Sequence, residues 1–128
     1  MGIKGIGTDI IEIDRIKNAD LRNAKFALRI FTKKELEYYN KKNYESMAGG
    51  FAAKEAISKA IGTGFRGFNF KDIEVLRDTL GRPYVILSKS AEKILRDKFN
   101  LKGKDYAVHI SISHNNSMAI AYSIIEGI

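Results

Sequence analysis

The chain has 128 residues, 45% of them apolar and 29% charged, with a formal net charge of +7. That length suits one core and hardly two, so residues 1–128 are expected to form a single domain; no apolar run approaches the ~18 residues of a membrane span, and the opening Met1-Gly2-Ile3-Lys4-Gly5 lacks the layout of a secretory signal, so a cytoplasmic protein is expected. The absence of cysteine excludes disulfides, thiolate nucleophiles and cysteine-based zinc sites, and two histidines argue against a histidine-rich metal centre, which leaves carboxylates suited to Mg²⁺, Mn²⁺ or Ca²⁺.

Residues 3–13 read as an isoleucine-rich strand. Asp9 lies inside it between Ile6 and the Ile10-Ile11 pair, and a buried carboxylate without a partner is strongly unfavourable. It therefore faces a polar cleft, pairs with a cation, binds a metal, or sits at a strand end bonded to loop backbone. Gly5 and Gly7 weaken a strand, which implies that something approaches the backbone closely there.

Asp14 is placed to cap a short helix through Lys17 and Asn18, and a second short helix is expected from Leu21 to Ile30. Thr32 and Glu35 have capping-box spacing and should open a helix to about Asn40. From Arg15 to Lys42 nine basic residues face three acidic ones, so +6 of the total charge sits in this segment. Such a patch attracts an anion, and composition alone admits nucleic acid, a membrane surface or an acidic protein.

A long central helix is expected from about Glu45 to Ile61, with Ala53, Ala56, Ile57, Ala60 and Ile61 as its apolar stripe and Gly62 and Gly64 ending it. Lys54-Glu55 interrupts the small apolar run. Glu55 and Lys59 are four apart, with Phe51 one turn earlier, and on spacing alone they form a solvated ion pair. The helix runs directly into Gly62-Thr63-Gly64, a loop type able to present backbone donors to phosphate, although it is no Walker motif.

Strands are expected at 72–77 and 83–87 with a turn at 78–81, then a helix capped by Ser88 or Ser90 to about Phe99. A closing hairpin spans 106–113 and 117–125, with His114 at its tip. His109 reads as a half-buried strand residue, and no Ser-His-Asp ordering is legible. The fold class is α+β, a small antiparallel sheet with one long central helix.

Three segments together resemble a known family: Gly7-Thr8-Asp9-Ile10-Ile11-Glu12, Phe51-Ala52-Ala53-Lys54-Glu55-Ala56-Ile57-Ser58-Lys59-Ala60, and Gly62-Thr63-Gly64. The first is similar to the G-x-D-(I/V)-x-E motif and the second to the F-x-x-K-E-(A/S)-x-x-K motif of the phosphopantetheinyl transferases. The short length, Gly81-x-Pro83 and Ser111-Ile112-Ser113-His114 resemble their small bacterial branch, the holo-acyl-carrier-protein synthases.

The resemblance implies transfer of 4′-phosphopantetheine from coenzyme A to a serine of an acyl carrier protein, in the service of fatty acid biosynthesis. It implies Mg²⁺ (with Mn²⁺ or Ca²⁺ as substitutes) on Asp9 and Glu55, and Asp9, Glu55 and Lys59 as catalytic residues, with Glu12 assisting. The serine proton then has three acceptors: a metal-bound water, Glu55 or Lys59. It also implies coenzyme A contacts from Lys54, Lys59, Gly62, Thr63, Gly64, Pro83, Ser113 and His114. A homotrimer with sites between subunits is expected, the neighbour supplying Gly81-Arg82-Pro83 and Ser113-His114. Arg15, Arg22, Lys25 and Arg29 would dock an acidic carrier protein rather than nucleic acid or membrane. One departure stands out: Gly50 occupies a position where relatives often carry arginine, which removes an expected phosphate contact unless Lys42 or Arg66 replaces it. Two readings compete with transfer: a nucleic-acid-binding domain, suggested by the basic segment, and a member that binds carrier protein without turnover, suggested by Gly50.

Overall fold

In the first strand, missing side chains decide what packs where. Along the chain the elements are β1 (Gly2–Glu12), α1 (Ile13–Arg22), α2 (Phe26–Ile30), α3 (Lys33–Tyr38), α4 (Tyr44–Ile61), a 3₁₀ turn at Phe70–Asp72, β2 (Ile73–Arg77), β3 (Pro83–Leu87), α5 (Lys89–Phe99), β4 (Tyr106–His114) and β5 (Met118–Gly127). This computed structural model describes residues 2–39 and 43–128. β5 lies between β1 and β4, antiparallel to both, and α4 packs across the inner face of this sheet. A Cβ at Gly5 would overlap the carbonyl oxygen of Ala60, and one at Gly7 would overlap that of Ala56. The close approach anticipated at these glycines is therefore made by α4 itself.

The helix answers with small residues of its own. Ala52, Ala53, Ala56 and Ala60 are buried with Ile57 and Ile61, and they meet Ala121 and Ile125 of β5. Each methylene-sized group removed from water contributes about 0.8 kcal/mol, but here the gain comes from close packing of many small groups. Gly62 ends α4 in the left-handed region at φ 91°, its N–H donating to the Ser58 carbonyl at 3.0 Å.

Two sheets form where one was expected. β2 and β3 pair only with each other. The outer edge of β2 is taken as well: the Val75 N–H donates to the Glu35 carboxylate and the Ile73 carbonyl accepts from Lys54. A buried ion pair thus takes the backbone groups that a third strand would use.

The first helices also differ from the sequence reading. Glu12, not Asp14, is the N-cap of α1, and Asp14 falls in the first turn, where its charge suits the helix dipole. α1 continues to Arg22 because Ile13 and Ile16 are buried beneath it and Asp20 accepts from the Tyr44 hydroxyl at 2.7 Å. Leu21 therefore lies in the last turn of α1 rather than opening the next helix. The Asn23 side chain accepts from the Lys25 N–H at 3.0 Å, a local turn that delays α2 until Phe26. The Thr32–Glu35 capping box is present, while the expected helix end at Asn40 lies outside the described residues.

Candidate functional site

From Met47 to Ile61, α4 is buried on all sides except along one line: Phe51, Glu55 and Lys59. Their spacing of four places them on a single stripe one turn apart. A core helix that opens only at one aromatic, one acidic and one basic side chain has left a slot in which its two charged groups can meet something polar. β1 borders that slot, because Asp9 shares the inward face of the strand with Gly5 and Gly7.

The charges arrange themselves in an informative way. Lys59 stands at the favourable spacing for Glu55, yet it reaches across to β1. Its Nζ donates to the Thr8 carbonyl at 3.0 Å and to Asp9 Oδ1 at 3.1 Å. The Lys59 side chain is 53% exposed and that of Asp9 17%, so the pair itself contributes at most about 1 kcal/mol. Among the described residues no cation pairs with Glu55. Partial burial pushes the Glu55 carboxyl above the usual glutamate range, the Asp9 charge pushes it further, and Lys59 opposes both. Two carboxylates thus share one slot with too little positive charge between them.

This donor set fits a hard divalent cation. Among the described residues no cluster of three or more His, Cys, Asp or Glu side chains forms a closed metal cage. A site offering two carboxylates leaves the remaining coordination positions to water and phosphate oxygens, which is the habit of Mg²⁺. Glu12 does not contribute. Strand alternation turns it to the outer face with Ile10, away from Asp9, and it serves as the N-cap residue of α1.

Lys54 requires a correction. Expected among the coenzyme A contacts, it is fully buried, and its ammonium bonds to Glu35 Oε1 at 2.8 Å and to the carbonyls of Phe70 at 3.0 Å and Ile73. Burial draws Lys54 toward its neutral form and the Glu35 charge opposes this. Its three donors are all engaged within the protein, so it ties α4 to α3 and β2 and has none to offer a ligand. The capping-box signal concealed this partnership, since Glu35 also accepts from the Thr32 N–H at 2.7 Å.

Of the other expected nucleotide contacts, one group continues the helix that carries Glu55 and Lys59, and the others line separate cavities. Gly62, Thr63 and Gly64 follow the last residue of α4, Ile61, with Gly64 at φ 62° and open space where its Cβ would stand. Pro83 borders a cavity of about 340 Å³ together with Arg82, Val108 and His109. Ser113 and His114 border another of about 270 Å³ with Ile10 and Met118. Neither cavity is lined by Asp9 or Glu55. Gly50 has a packing reason: a Cβ there would overlap the Tyr39 hydroxyl, with Phe31 just beyond. The ring of Tyr39 fills the space, and Arg66 is exposed on the loop after α4, whereas Lys42 lies outside the described residues.

Arg15, Arg22, Lys25 and Arg29 are all exposed on α1, α2 and the turn between them. Phe26 of the same region stacks on Phe51 at 6.5 Å, and Phe51 on Phe70 at 5.4 Å. The basic segment is therefore joined to the head of the open stripe by aromatic contacts, a link the sequence reading missed.

The chain matches the family model described as the 4′-phosphopantetheinyl transferase superfamily over residues 5–122. It is 57% identical over 126 residues to a holo-[acyl-carrier-protein] synthase of Clostridium botulinum (strain Eklund 17B / Type B), covering 97% of this chain and 98% of the relative. Among solved structures, it is similar to holo-[acyl-carrier-protein] synthase from Neisseria meningitidis with a TM-score of 0.84 and 35% identity, covering 97% of this chain and 98% of that one. A holo-(acyl-carrier-protein) synthase from Bacillus anthracis in complex with CoA (3′,5′-ADP) matches with a TM-score of 0.79 and 38% identity over 98% of both chains.

Proposed function

The chain belongs to the 4′-phosphopantetheinyl transferase superfamily, and from that premise we propose that it moves 4′-phosphopantetheine from coenzyme A onto a serine of an acyl carrier protein, releasing adenosine 3′,5′-bisphosphate. The observation that carries this reading is the open stripe of α4: Glu55 and Lys59 laid beside Asp9 in a helix otherwise sealed from Met47 to Ile61. Transfer breaks the pyrophosphate of the donor, so negative charge builds on non-bridging and leaving oxygens, and a catalyst must offer positive charge there.

Asp9 and Glu55 are the residues that would hold Mg²⁺, which when bound supplies charge neutralisation across the pyrophosphate. The chain's own groups do the rest. The carboxylates would hold the cation, Lys59, which in the structure reaches Asp9, would donate to a phosphate oxygen, and the Gly62–Gly64 backbone would border the donor. Phe51 and Phe26 exclude water at the head of the stripe, on the side where the basic helices stand.

The acceptor partner is an acidic carrier protein. Arg15 and Arg22, seven apart on α1, present one basic face, and Lys25 and Arg29 extend it toward Phe26. Opposite charge steers such an encounter and fixes its register. A homotrimer belongs to the same reading. The outer face of the sheet exposes Ile6 at 65%, Ile10 at 59% and Tyr122 at 53%, an apolar face that association would cover. The neighbouring subunit would then bring Pro83, Ser113 and His114 to the donor's nucleotide. The proposed compartment is the cytoplasm, and the proposed product serves fatty acid synthesis.

The test is the mass of an apo carrier protein after incubation with the chain and coenzyme A, with Mg²⁺ or with EDTA. A phosphopantetheine mass gain that EDTA abolishes is expected. No gain with Mg²⁺ present would favour binding without turnover.

A further inference from the structure

Resting on the metal reading above, we infer that Lys59 is the built-in counter-cation of the Asp9–Glu55 site, occupying Asp9 until a divalent ion displaces it. The geometry is specific. An ammonium one turn after Glu55 would ordinarily pair with it, yet Lys59 bridges the Thr8 carbonyl and the Asp9 carboxylate across the slot. Burial does not force this choice, because the Lys59 side chain is 53% exposed. What draws it is unbalanced charge: Asp9 and Glu55 border the same slot, and among the described residues no other cation pairs with either.

Two consequences follow from one ammonium serving two states. While Lys59 holds Asp9, an entering divalent ion must break that contact and withstand the repulsion of a nearby positive charge. The free protein therefore binds metal weakly. When a donor pyrophosphate arrives, Lys59 gains another anionic partner and releases Asp9. Metal and donor then favour each other's binding, and by linkage each tightens the other by the same factor. Lys59 is in this respect a positioning residue: it sets the order in which the site fills, separately from any contact it makes in the reaction.

The experiment uses the full chain stripped with EDTA and titrated with Mn²⁺, free Mn²⁺ being read by electron paramagnetic resonance, with and without coenzyme A and with no acceptor present. Lys59→Met should bind Mn²⁺ about two- to fivefold more tightly than wild type without coenzyme A, the scale expected for removing one half-exposed competing charge. It should also gain less from coenzyme A than wild type does. Lys59→Arg, which retains the charge, should stay near wild type. Equal or weaker Mn²⁺ binding by Lys59→Met overturns the inference. Asp9→Asn separates the two levels of argument. If it abolishes Mn²⁺ binding while Lys59→Met changes nothing, the metal reading stands and the counter-cation fails; if it too leaves Mn²⁺ binding unchanged, the metal reading fails.

Discussion

Helix α4 carries two lysines five residues apart, and they live in opposite circumstances. Lys54 is sealed in the interior with Glu35 and two backbone carbonyls, every donor engaged. Lys59 stands at the open stripe and holds Asp9 from a half-exposed position, while Glu55 beside it has no cation of its own. The buried pair is saturated and belongs to the architecture. The open one is short of positive charge and is the one proposed to serve the chemistry. Both lysines fall within one family motif, so the motif alone does not separate these roles, whereas partners and burial do.

The largest effect should come from disturbing the open side. Glu55→Gln or Asp9→Asn is expected to lower transfer by about a thousandfold or more, the scale of losing a principal electrostatic contact in the reaction. Either variant should unfold at a denaturant concentration close to wild type. Near-normal turnover in either one would erase the distinction drawn between the two lysines.

Next comes the buried side. Lys54→Met leaves the Glu35 carboxylate in the core without its cation, held only by the Thr32 and Val75 N–H groups, and should lower stability by about 3–5 kcal/mol in urea titrations. Adding Glu35→Leu removes the stranded charge and should recover part of that loss. Failure of the double variant to improve on the single one would mean that the carbonyls of Phe70 and Ile73 matter more than the ion pair.

Charge reversal at Arg15 and Arg22 lies farther out. It should raise KM for the carrier protein by about tenfold, with KM for coenzyme A almost unchanged, because the expected contribution is steering and docking at an exposed rim. Equal effects on both constants would show that α1 supports the site rather than the partner.

The smallest effect is a matter of pH. The Glu55 carboxyl is raised by burial and by Asp9, so the folded metal-free protein binds this proton more tightly than the unfolded chain. The associated stability is present below the ordinary glutamate pKa and is lost as pH rises through the higher folded value. Glu55→Gln should therefore flatten the decline of stability above the ordinary glutamate pKa in EDTA-treated samples. An unchanged slope would place the decline on other groups.

Much of this architecture was legible beforehand. The period of α4, the glycines that end it, the Thr32–Glu35 box and both hairpins follow from local rules. The boundary between α1 and α2 did not, because a side-chain turn at Asn23 overrode the apolar pattern. The site was half legible. Asp9 inside an apolar strand signalled a partner, and that partner in the metal-free protein is Lys59. Gly5 and Gly7 signalled a close approach, yet the approaching backbone is α4. Lys54 was misplaced, and the packing reason for Gly50 was not legible, because both depend on residues distant in sequence, Glu35 and Tyr39, whose packing no local pattern encodes.

The account stands on a cation shared by β1 and α4. An anomalous difference map from crystals grown with Mn²⁺ and adenosine 3′,5′-bisphosphate locates that ion directly. A peak within coordination distance of both the Asp9 and Glu55 carboxylates, with Lys59 turned toward phosphate, is the predicted result; a bound Mn²⁺ touching neither carboxylate would contradict it.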